Sequence, residues 1–305
     1  MATRINLDMD VLRTFVTGFE LGSFAKAAER LGRSQSAIST QLRKLEDQVG
    51  QVLVQKAGRG LSLTASGESL LSYARRILDL NDEAVDTLRS ADVEGWVRLG
   101  LPQDFAESSL PAVLGRFARA HPKVRIEVRA ERTATLVERT VKGELDLALV
   151  WGRGSEAPYA KVVAELAIDW IGLPDWPGLS ALGSEPLPLI AFEPPCMFRA
   201  AGVAALDAAG IPWRLVFSSP SLSGLWAAAQ AGLGVTLRTA VGMPRALAAL
   251  DPDRTGLPRL PAMPLALIAA EADPVPAAAR LAEILRETIA EETSRTVRRA
   301  DELFL

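Results

Sequence analysis

Thiol and imidazole are almost missing from this sequence: its 305 residues hold one cysteine, Cys196, and one histidine, His121. A disulfide framework and a Cys-based zinc site each need several sulfurs, and a histidine metal cluster needs several rings, so all three are excluded. Long apolar runs are missing too. The most apolar stretch, residues 225–243, is broken by Gln230 and Arg238, and no uninterrupted run reaches the ~18–20 residues of a membrane helix. The N-terminus, Met1-Ala2-Thr3-Arg4-Ile5-Asn6-Leu7-Asp8, shows no apolar core followed by a small-residue cleavage site, so no signal peptide is visible. A cytoplasmic location with no membrane partner is expected. Neither sign of charge dominates: 34 Lys+Arg against 37 Asp+Glu give a net −3, which excludes an extreme basic or acidic tail as the basis of function.

What is present is a chain 49% hydrophobic, long enough for two or three domains at roughly 100–200 residues each. The near-neutral total hides an asymmetry. Residues 1–66 carry nine basic and six acidic side chains, a surplus of +3, and the remainder carries −6. A mildly basic head on an acidic body suits a nucleic-acid-binding module joined to something else.

The head reads as three short helices. Asp8 can cap a helix whose stripe is Leu12, Phe15, Val16 and Phe19. Gly22-Ser23 breaks it and caps a second, with Phe24, Ala27, Ala28 and Leu31 on one face. Gly32 stops the second helix, and Ser34 caps a third that runs to Gly50. Counting from Gln35 at about 100° per residue, Ile38, Leu42, Leu45 and Val49 fall between about 280° and 340°. Gln35, Ser36, Ser39, Thr40 and Arg43 fall between about 0° and 140°. Short hydrogen-bonding side chains let a helix lie deep in a major groove, and an arginine there reaches a guanine edge or a phosphate. A helix, a short glycine-containing turn and such a helix form the helix-turn-helix pattern.

Two extended runs follow, Leu53–Lys56 and Leu61–Thr64, around Ala57-Gly58-Arg59-Gly60. They read as a hairpin with Arg59 at its tip, placed for a minor groove or its phosphates. Thr64 caps a long helix to about Ser90, with Gly67, Ala74, Asn81 and Leu88 seven apart and apolar doublets between. That 3.5-residue period predicts a seam against a second copy, with Asn81 favouring one register; packing within the chain is the rival explanation.

From Trp96 onward strands alternate with helices, which argues for an α/β body, and about 200 residues suit two lobes. Strands are expected at residues 96–101, 124–130, 145–150, 164–172, 187–192, 213–218, 235–239 and 265–270. Helices are expected at 105–119, 135–142, 197–209, 221–231 and 275–292.

The head resembles the opening of LysR-type transcriptional regulators. The likeness lies in Asp8–Phe15, Gly22–Leu31, Ser34–Ser39, Leu42–Glu46, Gly58–Thr64 and Gly67-Glu68. It continues in Gly143–Ala148 and Ala231–Val235. The resemblance implies an all-α winged helix-turn-helix over 1–64, a linker and dimerisation helix over 65–92, and an effector-binding domain over 93–305. That domain would have the type 2 periplasmic-binding-protein fold, with lobe I from 93–160 and 263–305 and lobe II from 161–262. It also implies a homodimer or homotetramer formed through the linker helix and effector domain. Double-stranded promoter DNA whose bend responds to a small molecule in the interlobe cleft, and contact with RNA polymerase, complete the implied partners. Thr40 stands where the family often carries Arg or Lys, implying one fewer phosphate contact, and Val54 replaces a frequent Phe.

Carried onto this sequence, the DNA readers are Gln35, Ser36, Ser39, Thr40 and Arg43, with Ser34 capping and Arg59 on the wing. Strand ends that face a switch point suggest Pro102, Gln103, Asp104, Thr133, Thr135, Trp151, Ser218 and Ser219 for the effector. Trp151 and Trp170 also suit the core. An enzyme is the weaker alternative. His121 before Pro122 fits a helix end, Cys196 lacks a partner for nucleophilic chemistry, and Gly232-Leu233-Gly234 lacks the context of a phosphate loop. No cofactor and no metal are expected. A solute-binding protein without catalytic role would explain the body but not residues 1–90.

Overall fold

The computed structural model describes residues 5–57, 60–89 and 94–303. The chain divides into two compact units, Met1–Asp92 and Val93–Leu305.

The first unit opens with α1 (Met9–Glu20). Asp8 caps it, Oδ1 accepting from the Asp10 N–H at 2.9 Å, and this bond holds the Asp8 carboxyl below the usual carboxylate range. Ser23 caps α2 (Phe24–Arg30) through the Lys26 N–H. The ring of Phe24 packs so close to α1 that a Cβ on Gly18 would lie 2.1 Å from it, so a larger residue there would have to displace the ring. Gly32 turns the chain with φ 62°, a conformation that costs a residue with a Cβ, and the Arg33 N–H closes the helix end on the Ala28 carbonyl at 2.8 Å. Ser34 then caps α3 (Gln35–Val49). The wing is β1 (Val54–Ala57) paired antiparallel with β2 (Gly60–Leu63), Val54 opposite Leu63. Glu46 ties it to α3, its Oε1 accepting from the Leu53 N–H at 2.8 Å and the Val54 N–H at 3.3 Å.

Thr64 caps α4 (Ala65–Arg89), Oγ1 accepting from the Gly67 N–H at 3.1 Å. The seam expected along this helix is not one free face. Leu71, Ala74 and Leu78 are buried in one cluster with Val11, Leu12, Phe15 and Val16 of α1. Intramolecular packing wins here because the three-helix head would otherwise expose that apolar face. Burying Leu71 and Leu78 is worth roughly 1.5–3 kcal/mol each. The half-exposed Arg13–Asp82 pair at 2.6 Å adds only about 0–1 kcal/mol. Asn81 donates to Asp82 at 3.0 Å, so within one chain its amide already has a partner. A different set is left bare: Tyr73, Leu80, Ala84 and Val85.

The second unit runs β3 (Gly95–Leu101), α5 (Gln103–Glu107), α6 (Leu110–Ala120), β4 (Val124–Ala130), α7 (Thr133–Val141), β5 (Leu147–Trp151), β6 (Tyr159–Ala167) and β7 (Asp169–Gly172). A short 3-10 turn (Leu179–Leu182) precedes β8 (Leu187–Phe192), α8 (Met197–Ala208), β9 (Trp213–Ser219), α9 (Leu222–Gln230) and β10 (Thr236–Arg238). The chain closes with β11 (Ala248–Ala249), α10 (Pro252–Thr255), β12 (Ala262–Ala269) and α11 (Pro276–Leu303).

Lobe I holds a five-stranded sheet in the order β4-β3-β5-β12-β6, parallel among β4, β3 and β5, with β12 antiparallel to β5 and β6. Asp146 pins β3, accepting from the Arg98 backbone N–H at 2.7 Å and its guanidinium at 2.5 Å, which raises the Arg98 pKa. Lobe II pairs β8 with β9 in parallel and flanks β7 with β10 and β11. One bridge, Leu189 to Val235, links β8 to the segment entering β10.

Three expectations change. The strand expected over 164–172 is two strands in two lobes: β6 pairs with β12 of lobe I, and β7 belongs to lobe II. The alternation Leu166, Ile168, Trp170 continues through the crossing, so the pattern reads as one strand. The first crossing therefore follows Ala167 instead of falling at 160/161. The helix expected over 105–119 is broken into α5 and α6, because Pro111 has no N–H to continue the first and suits the opening turn of the second. Finally, α11 continues well past Glu292, through a Glu- and Arg-rich stretch without a breaking Gly or Pro.

Candidate functional site

The exposed wall of α3 follows the angular count. Ile38 and Leu45 face the core, while Ser34, Gln35, Ser36, Ser39, Thr40 and Arg43 are all exposed. Ser34 Oγ accepts from the Ala37 N–H at 3.2 Å, so its main task is the cap. The Ser39 and Thr40 hydroxyls donate to the carbonyls of Gln35 and Ser36, one turn back, leaving acceptor capacity outward. Neighbouring cations are engaged: Arg33 with Asp10 at 2.7 Å and Lys44 with Asp8 at 3.4 Å. Arg43 has no carboxylate partner among the described residues. Gly58 and Arg59 lie outside the described residues, so the expected wing contact is not placed.

Between the two lobes of the second unit runs a cleft of about 800 Å³. Pro102, Gln103, Asp104, Thr133, Thr135 and Trp151 all line it. Ser218 and Ser219 do not: Ser218 is exposed on β9, and Ser219 Oγ accepts from the Ser221 N–H in a local turn. The strand end there turns the Ser219 hydroxyl into its own loop.

Most of the converging polar groups are already spent. Asp104, fully buried in lobe I, forms a two-point pair with Arg238 of lobe II, which is 4% exposed. The Arg238 guanidinium also sits 4.1 Å from the ring centroid of Phe198 and 5.0 Å from that of Phe192. Trp151 Nε1–H donates to Asp104 at 3.3 Å, so this ring both packs in the core and lines the cleft. Gln103 accepts from the Leu222 N–H at the start of α9 at 2.6 Å, and Thr133 Oγ1 accepts from the Trp151 N–H. Two of these contacts, Asp104–Arg238 and Gln103–Leu222, bind lobe to lobe.

A polar reading helix behind a glycine turn, a hairpin wing, and a cleft between two α/β lobes together match known sequences over most of the chain. The bacterial regulatory helix-turn-helix protein, lysR family, matches residues 9–68, and the LysR substrate binding domain matches residues 90–290. The chain belongs to the LysR family. Curated relatives in the family include the HTH-type transcriptional regulator DgdR of Burkholderia cepacia, 37% identical over 259 residues and covering 85% of each chain. The regulator PecT of Dickeya dadantii is 36% identical over 260 residues, 84% of this chain and 80% of PecT. Among solved structures, Vibrio fischeri DarR in complex with DNA aligns over 93% of this chain and 100% of that one. Its TM-score is 0.52 at 20% identity, a likeness of fold. This LysR-family chain is a DNA-binding transcriptional regulator with an effector-binding domain.

Sequence reasoning missed most of the other residues that line the cleft, among them Phe192, Phe198, Arg199 and Arg238. Arg238 stands in an apolar strand where only its break of the run was noticed. A buried charge amid such a run was the available signal, since it demands a partner. No helix among the described residues is long and apolar enough to cross a membrane.

Proposed function

We propose that this regulator reads promoter DNA as a homodimer and that a small molecule in the interlobe cleft changes its grip on, and bending of, that DNA. The observation that carries the reading is the wall of α3: five exposed polar side chains, with an Arg43 guanidinium that no carboxylate among the described residues occupies. Gln35, Ser36, Ser39 and Thr40 would meet base edges and Arg43 a guanine or phosphate, with Ser34 holding the helix start and Arg59 touching phosphates from the wing. Dimerisation would use the bare stripe of α4. Tyr73, Leu80 and Ala84, with half-buried Ile77 between them, recur at helical spacing, and large exposed apolar groups in such a row suit a partner helix. Two-fold symmetry would then present two copies of α3 to two half-sites.

In the cleft, Pro102, Gln103, Asp104, Thr133, Thr135 and Trp151 would surround the effector, and the lobe-to-lobe contacts give it something to shift. Mobility-shift titration of the full chain on its captured promoter tests the reading. Leu80→Glu is expected to shift the protein to monomer in sedimentation and to remove the retarded complex. An unaltered chain that stays monomeric and still binds its promoter would overturn it.

A further inference from the structure

The charges around the cleft narrow what fits it, given the reading of the cleft as the effector site. Asp104 is paired with Arg238, Glu131 with Arg139 at 2.9 Å, and Arg132 with Glu193 at 3.8 Å. Two charged lining groups remain. Glu156 is exposed, in the loop after β5 of lobe I. Arg199, half-buried in the first turn of α8, donates only to the Phe192 carbonyl at 3.3 Å and has no carboxylate partner among the described residues. Most of its N–H donors are unspent. Much of the remaining lining is apolar: Trp151, Phe192, Met197, Phe198, Val203 and Trp213.

We propose that the cleft takes an amphipathic organic monoanion, with one carboxylate-like group on Arg199 and an apolar body against the aromatic lining. An anion there completes a charge-assisted, two-point contact in a partly desolvated place. A neutral analogue would cover the guanidinium without satisfying it. A second negative charge would meet Arg238, already held by Asp104, Arg132, already facing Glu193, or the carboxylate of Glu156. The size agrees: sites for drug-sized ligands span about 300–1,000 Å³ and are mostly apolar with few placed polar groups.

Calorimetric titration of the full chain with naphthoate, naphthamide and naphthalenedicarboxylate separates the classes on one ring body. Naphthoate is expected to bind about tenfold or more tightly than the other two. Arg199→Gln should reduce naphthoate to the affinity of the amide, and Arg199→Lys should restore part of the difference. Should Arg199→Gln fail to fold by circular dichroism, the acid–amide ratio on the unaltered protein decides alone. An amide or dianion that binds as tightly as naphthoate, a preference that survives Arg199→Gln, or no binding of any of the three would overturn the assignment. Parallel mobility shifts separate this from the regulatory reading. The expected binding pattern without any change in the promoter complex keeps the ligand class and removes the effector role.

Discussion

The wall of α3 and the floor of the interlobe cleft are made of similar groups, an arginine beside hydroxyl and amide side chains, with a carboxylate added only in the cleft, and the fold leaves them in opposite states. On α3 the side chains face solvent, and Arg43 has no carboxylate partner among the described residues. In the cleft Gln103, Asp104, Thr133 and Arg238 are consumed by bonds within the chain, two of them between the lobes. The first region is prepared for a partner that brings its own acceptors. The second holds the protein together and leaves recognition to Arg199 and the apolar lining. Polar residues gathered at one place therefore do not by themselves mark a ligand's contacts; what matters is which of them remain unpaired.

Cutting the floor should have the largest effect. Asp104→Ala strands the buried Arg238 guanidinium between two aromatic rings and is expected to cost about 3–5 kcal/mol of stability in denaturant titrations. Replacing both charges together, Asp104→Leu with Arg238→Met, should recover most of that. Equal losses in the single and double variants would erase the contrast between the two regions. Arg43→Ala should do the reverse: about 1–3 kcal/mol lost from specific promoter affinity, with stability changed by no more than about 0.5 kcal/mol. Ser34→Ala sharpens the boundary between reading and folding, since its hydroxyl caps α3. It should cost about 1 kcal/mol of thermal stability in the first unit. The smallest effect tests a buried polar group that belongs to neither region.

His121 is 1% exposed, its ring tilted against that of Phe117 with centroids 4.7 Å apart, and neither ring nitrogen has a partner among the described residues. Burial lowers its pKa below the usual 6.5, so the unfolded chain takes up a proton that the folded chain refuses. Stability should therefore fall as pH drops through and below about 6.5. His121→Phe should flatten that dependence, and an unchanged slope would assign it elsewhere.

Much of the first unit was legible because its signals are local. Asp8, Ser23, Ser34 and Thr64 all cap the helices they precede, and the two faces of α3 fall where the angular count puts them. The pattern of α4 was harder, since a heptad row looks the same whether α1 or a second copy covers it. In the body, the elements around β4, β8 and α8 match the alternation closely. The continuous stripe through Ile168 concealed a change of lobe, because side-chain alternation does not record which strand lies alongside. Six of the eight expected effector residues line the cleft, and Ser218 and Ser219 do not.

By itself the sequence determined where the helices of the first unit begin, which face of each is apolar, and the polar surface that α3 presents. Those depend on φ preferences and on neighbours three or four residues away. Tertiary structure alone decided that Asp104 meets Arg238 across 134 residues of chain and that Leu71 and Leu78 roof α1. It also decided that Arg199 is left over. Such pairings arise only when distant segments close on one another, and no local preference encodes which charge will be satisfied when they do.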